Sequence, residues 1–501
     1  MEAPDDTRGR LLDSPGARQS TSTPTREKTR EKKMSHDYTI LGAGLAGLST
    51  GYTLAKGGKT VQLLEKEEYV GGLAASFEID GYTFDLGPHR FHTRNKRVHE
   101  QVEALLGENI NWKDRLSRIF MLGKFFNYPL NAKNIVKSLP LTILFRSFID
   151  YFAIRIRNRF SPIPDDCFQN WILKRFGKTL YLLFFGTYTE KAWGIPCTQI
   201  SADWASQRIT LLNLMDTVKK TLFRPKNVPR TLVSRFFYPL EGGIGSVAER
   251  YGEEIRGAGP NVIDTGVTVK RVRWEGDKVL GVDIEVDGEA REVPVEHLIS
   301  TVPVTTMIDL FDPPPPPEVV ESCKELKYKA IVFAFLALDR EKVTDDHWIY
   351  LPEKHLRVHR ISEFKNFSER CAPPGKTLVA AEITCNYDDE TWHMGKEELT
   401  ELAASDLEKV GLIRKDEVVA SYTHRERYSY PLYDLTYRDH VKACLDWQKQ
   451  LTNYTATGRQ GLFQYGNMDH SLAMGLVLGE RLLKKTEASH DDVLGQDEHH
   501  D

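Results

Sequence analysis

YTILGAGLAGLSTGYTLAKGGKTVQLLE, running from Tyr38 to Glu65, reads as a buried strand, a glycine-rich turn, a helix and a second strand that ends on a carboxylate. This is the pattern of a dinucleotide-binding βαβ unit. Gly42 permits the tight turn, Gly44 lets the backbone approach a pyrophosphate where Leu45 and Ala46 open the helix, and Gly47 lets helix and strand pack closely. The helix N-terminus offers its unpaired N–H groups to the phosphates. Glu65, followed by Lys66, stands where ribose hydroxyls are held.

The next stretch says which dinucleotide. Gly71, Gly72 and Leu73 form a second glycine segment, and SFEIDGYTFDLGPH then forms a hairpin leading to Asp85, Gly87 and His89. A second glycine pair serves to pass the chain along the pyrophosphate and ribityl of FAD, whereas a domain for NAD alone has no use for it. Two distant segments agree: NVIDTGVTVKRV is expected to lay Val262 against the adenine, and LISTVP (Leu298 to Pro303) returns to the nucleotide. The fold class expected is α/β. A Rossmann-like FAD-binding domain of the glutathione-reductase type would carry an inserted helical domain and an antiparallel β-sheet substrate domain.

Composition bounds the function. The 501 residues are 41% hydrophobic and carry a net charge of −4 with a pI near 6.5, so no global basic field exists to draw nucleic acid. Six scattered cysteines without a CxxC pair suit buried thiols in a reducing, cytoplasmic compartment, with neither disulfide nor metal expected. The closest approach to a membrane span, LPLTILFRSFIDYFAIRI from Leu139, is broken by Arg146 and Asp150. It reads as a core helix pair. The alternative is peripheral membrane contact through an apolar face flanked by Arg155, Arg157 and Arg159.

Nucleotide-binding segments at 36–99, 235–317 and 455–485 are separated by two insertions, a helical one at 100–234 and a β-rich one at 318–454. Polar tails at 1–35 and 486–501 are expected to be disordered, and Met34 is a possible start.

Along this frame, GPHRFHT (Gly87 to Thr93), FNYPLN (Phe126 to Asn131), FGTYTEKAWG (Phe185 to Gly194), SQRI (Ser206 to Ile209), VHRISEFKNF (Val358 to Phe367), YSYP (Tyr428 to Pro431) and TGRQGLFQYGNMD (Thr457 to Asp469) occur in order. They resemble the signature runs of the UDP-galactopyranose mutases. The resemblance covers most of Tyr38 to Leu483. Its FAD motifs are shared with amine oxidases, protoporphyrinogen oxidases and phytoene desaturases, whereas the YTEKxWG block and the arginine after it are more specific.

The resemblance implies a catalytic set. Arg208 and Arg360 match diphosphate-binding arginines, Tyr188, Tyr430 and Tyr465 match tyrosines on the same phosphates, and Trp193 matches the tryptophan of the sugar pocket. Arg459 falls beside the flavin, Met468 lies in the last flavin segment, and either His89 or His92 would approach the flavin's reactive edge. The implied reaction is a redox-neutral ring contraction of a nucleotide-linked sugar through an adduct with reduced FAD, NAD(P)H being the obvious reductant. Planar guanidinium forks suit a diphosphate. Asn386 and Asn467 stand where the family has carboxylates, and the basic segment after Arg208 lacks its uridine-contacting tyrosine, so a lipid-linked or different nucleotide-linked sugar is also open. The other readings are an FAD oxidoreductase with an apolar tunnel, for which Leu139 to Ile156 is the candidate wall, and a flavin-binding scaffold without catalysis.

Overall fold

The computed structural model describes residues 36–128, 138–208 and 235–484, with the side chains of Gln207 and Arg208 outside that description. Both polar tails and the basic segment after Arg208 lie outside the described residues.

The opening motif folds as read. Tyr38–Leu41 and Val61–Leu64 are parallel neighbours joined by the helix Leu45–Lys56. They sit in a five-stranded parallel sheet whose order is Tyr454–Ala456, Leu298–Ser300, Tyr38–Leu41, Val61–Leu64 and Val262–Asp264. Strands covered on both faces favour near-continuous apolar runs, as in YTIL and VQLL. The helix Met468–Leu482 packs on Leu45–Lys56 at backbone distance. A Cβ at Gly475 would stand 2.4 Å from the carbonyl oxygen of Ala46, so only glycine fits there.

The second layer is a seven-stranded sheet in the order Val418–Pro431, Tyr328–Leu338, Thr377–Cys385, Arg360–Glu363, Trp348–Tyr350, Ser117–Met121 and Lys124–Asn127. Its pairs are antiparallel except for the one between Trp348–Tyr350 and Ser117–Met121. One face of its longest strands joins the nucleotide sheet through a shared core that includes Ile40, Leu63, Phe84, Phe333 and Phe335.

Two expectations are corrected. The segment expected to be helical from residue 100 begins with the helix Lys96–Leu106 but continues as strands Asn111–Asp114, Ser117–Met121 and Lys124–Asn127. Leu122 (φ 54°) and Gly123 (φ 68°) make the two-residue hairpin turn, in which both central residues need positive φ. Leucine in the first of these positions disguised the turn. The stretch read as a core helix pair is instead one helix, Leu141–Phe160, of which only Ser147 and Tyr151 are fully buried. No described helix is long and apolar enough to cross a membrane.

Candidate active site

Between the carboxyl edge of the parallel sheet and the seven-stranded sheet lies a cavity of about 820 Å³. One end is built from the glycine segments: Gly42, Gly44, Leu45, Ala46, Gly71, Gly72 and Leu73 line it, with Glu65 and Lys66. The turn closes on itself because the N–H of Gly71 donates to the carbonyl of Ala43 at 2.8 Å. Gly44 and Gly47 then do different work. A Cβ at Gly44 meets no protein atom within 4 Å, so it would enter the cavity, while one at Gly47 would lie 2.1 Å from the carbonyl oxygen of Gly42. Gly47 is therefore a packing residue and does not line the cavity.

Glu65 is tied to this turn: its Oε2 accepts the N–H of Ala43 at 2.7 Å and its Oε1 that of Glu67 at 3.0 Å. Burial raises the pKa of the carboxyl, and these donors pull it part of the way back. Val262 pairs with Gln62 at the far end of its strand, is partly exposed, and does not line the cavity. The residues of that segment that meet Glu65 are Asp264, whose carbonyl accepts the Glu65 N–H at 2.9 Å, and Val267, whose N–H donates to the Glu65 carbonyl at 2.8 Å. Asp85, at the end of the hairpin, also does not line the cavity. It accepts Ser76 Oγ at 2.5 Å, Tyr238 Oη at 2.8 Å and the N–H of Ile244 at 3.3 Å, and burial pushes its carboxyl up to about 7.

The other end of the cavity is aromatic and cationic. Tyr188 follows a π-helical turn, Tyr181–Gly186, of the kind often found at functional sites, and packs edge-on against Tyr350 at 5.4 Å. Trp193 and Trp204 meet edge-to-face at 4.6 Å, Trp204 meets Tyr465 at 4.8 Å, and Tyr430 stacks on Tyr465 at 5.7 Å. The guanidinium of Arg459 lies over both of these tyrosines and donates to the carbonyls of Gly466, at 2.7 Å, and Ser429.

Arg360 donates through Nε to Glu382 Oε1 at 2.7 Å and through Nη2 to Oε2 at 2.5 Å. Burial works against its charge, but the buried carboxylate outweighs that and holds the guanidinium's pKa well above its usual value. His89 is partly buried on the cavity wall, near the cations Arg360 and Arg459. Burial first, and then Arg360 and Arg459, push its pKa down to about 3, so the imidazole is neutral at neutral pH. Its Nδ1 has no hydrogen-bond partner among the described residues. A buried ring nitrogen in need of a partner and a glycine Cβ direction opening into the cavity fit a bound flavin dinucleotide.

His92, Met468 and Asn467 also line the cavity, whereas Arg208 ends the helix Ala202–Arg208 with its side chain undescribed. Asn386 lies off the cavity and accepts Lys329 Nζ at 2.7 Å. Carboxylates are nevertheless present, in Glu382 behind Arg360 and in Glu426 and Asp469 on the lining. Trp204 and Glu382 were missed as site residues; the signal for Glu382 was an acid within the apolar strand TLVAAEITC. Glu190 and Lys191, adjacent in the YTEKxWG block, have separate partners. Lys191 Nζ donates to the carbonyls of Leu351, Glu353 and Val358, and Glu190 accepts Lys354 at 3.3 Å.

The decisive comparison concerns the whole frame: residues 45–475 match the family described as Flavin containing amine oxidoreductase. The chain belongs to that family. A flavin amine oxidoreductase scaffold accounts for both sheets and for FAD as the cofactor. Within it, the chain is similar to the probable UDP-galactopyranose mutase of Klebsiella pneumoniae, 28% identical over 169 residues that span 32% of this chain and 42% of that relative. In fold it matches a crystal structure of reduced UDP-galactopyranose mutase with a TM-score of 0.80, covering 93% of this chain and 99% of the other at 20% identity. A putative protoporphyrinogen oxidase from Exiguobacterium follows at 0.69, covering 90% and 99% at 17% identity. This flavin oxidoreductase family member thus shares its fold with both an isomerase and oxidases.

Proposed function

We propose that this FAD enzyme is a UDP-galactopyranose mutase-like isomerase acting on a nucleotide-linked sugar. The observation that carries the reading is Arg360, locked by Glu382 and facing the cavity beside the neutral His89. Bound in its reduced form, FAD supplies nucleophilic chemistry for a redox-neutral ring contraction, with NAD(P)H as the reductant that readies it.

The chain's own residues then handle the leaving group. With Nε and Nη2 held by Glu382, Arg360 keeps Nη1 without a protein partner among the described residues, ready to neutralise a departing diphosphate. Arg208 is assigned the second diphosphate contact. The hydroxyls of Tyr188, Tyr430 and Tyr465 donate to phosphate oxygens, and Trp193 packs against the sugar. Gly44 leaves room for the cofactor's pyrophosphate, Glu65 takes its ribose, and Arg459 favours an anionic flavin.

An apolar tunnel is the requirement of the alternative, a family-typical FAD oxidoreductase, and the Leu141–Phe160 helix proposed for its wall does not line the cavity. Product analysis with dithionite-reduced protein and UDP-galactofuranose or UDP-galactopyranose tests the assignment. Interconversion by the reduced protein alone is the expected result. Oxygen consumption by the oxidised protein with an amine, a porphyrinogen or a polyene, without sugar interconversion, would replace it.

A further inference from the structure

The helix Leu141–Phe160 is amphipathic in the wrong direction for a core element. Seven of the seventeen large apolar side chains exposed among the described residues lie on it, including Leu141 (80% exposed), Phe145 (70%) and Phe160 (81%). At helical spacing, Phe145, Phe152 and Ile156 fall on one stripe, opposite the buried Ser147 and Tyr151. The inward face is already satisfied: Ile143 and Leu144 pack against the cluster of Ile119, Met121, Phe126 and Leu139, and Asp150, the helix's only acid, bonds Thr179.

The charges follow the same geometry. Helical spacing puts Arg146 and Arg157 along one margin of the apolar stripe and Arg155 and Arg159 along the other, all exposed. Arg155 is held there by Tyr151, whose hydroxyl accepts its Nη1 at 2.9 Å. An apolar stripe bordered on both sides by long cationic side chains is the signature of a helix lying in a membrane interface, where aromatic rings enter the acyl boundary and guanidiniums reach the headgroups.

We infer that this helix docks the enzyme, by its outward face, onto an anionic lipid surface. A second copy of the chain laid on the same face would set arginine against arginine along the margins. A sheet of anionic headgroups answers all four charges at once. The inference is independent of the sugar-isomerase reading, since no residue of the helix lines the cavity. It does fix a geometry: the helix's inner face packs on the same apolar cluster as Phe184 and Tyr350, which line the cavity, so the bilayer would lie on the far side of that cluster from the site.

The test is co-sedimentation of the full-length, FAD-loaded protein with vesicles of phosphatidylcholine, with and without phosphatidylserine. Binding is expected only when phosphatidylserine is present, and it should weaken as salt is raised. F145S/F152S and R155E/R159E should each lower partitioning by about tenfold or more while keeping flavin absorbance and unfolding midpoint. A folded wild-type protein that stays in the supernatant overturns the inference, as does binding that both variants retain. Sedimentation velocity gives the remaining outcome: if F145S/F152S converts a dimer to monomers, the face is a contact between copies and the lipid assignment fails.

Discussion

Glu382 grips Arg360 through both carboxylate oxygens, at 2.7 and 2.5 Å, across adjacent strands in which the two residues are directly paired. The carboxylate is fully buried, so the pair arms the cavity with a cation that cannot swing away. Removing one partner of a buried pair leaves the other charge uncompensated. Glu382→Ala and Arg360→Ala should therefore each lower unfolding free energy by about 3–5 kcal/mol. The double variant R360A/E382A should lose much less than the sum of the two. Urea unfolding of all the variants decides it, and strict additivity would refute the coupling.

Gly44 and Gly47 separate cofactor binding from folding. Gly44→Val adds atoms only to the cavity and should abolish flavin absorbance while leaving the unfolding midpoint of the flavin-free protein unchanged. Gly47→Val forces a side chain against the carbonyl of Gly42, and that midpoint should fall. Thermal melts of flavin-free preparations, read beside the visible spectrum, distinguish the two.

Asp85 makes stability depend on pH. Its carboxyl, near 3.8 in the unfolded chain, is raised to about 7 by burial in the fold. A carboxyl with a raised folded-state pKa contributes stability that is fully present below about pH 4 and lost as pH rises through 7. Asp85→Asn should therefore gain on the wild type between pH 4 and pH 7, by an amount on the order of 2–4 kcal/mol. Denaturant midpoints for both proteins at the two pH values measure this, and a constant difference would exclude it.

Lys191 is an anchor whose three acceptors are all backbone carbonyls. Lys191→Met leaves the carbonyls of Leu351, Glu353 and Val358 without their donor and should cost about 3 kcal/mol. Glu190→Gln, next to it, removes only a partly exposed ion pair with Lys354 and should change stability by less than about 1 kcal/mol. Equal losses in the two variants would argue against the anchor.

What the sequence disclosed depended on how local its cause was. The glycines of the opening motif act through their own backbone and the carbonyls beside them, so their roles were readable at Gly42, Gly44 and Gly47. Arg360 was readable as a residue but not as half of a pair, because its partnership with Glu382 depends on strand register. Val262 marks the same limit: the strand is legible, but the parallel register Leu64↔Asp264 brings Asp264 and Val267, not Val262, to Glu65. The Leu141–Phe160 run was apolar on both faces, inward through Ile143 and Leu144 and outward through Phe145 and Phe152, and a two-faced run reads as core.

The nucleotide cradle is assembled from distant parts of the chain. The helix beginning at Leu45 rests on the one that begins at Met468, and the edge strand Tyr454–Ala456 hydrogen-bonds to Leu298–Ser300. During synthesis the glycine turn emerges hundreds of residues before the helix that backs it. The first βα segment must therefore wait, with its apolar helix face uncovered, until the last has been made. The cavity is on that account closed only by the chain's late segment, since Gly458, Arg459, Met468 and Ser471 line it together with Gly42 and Gly44.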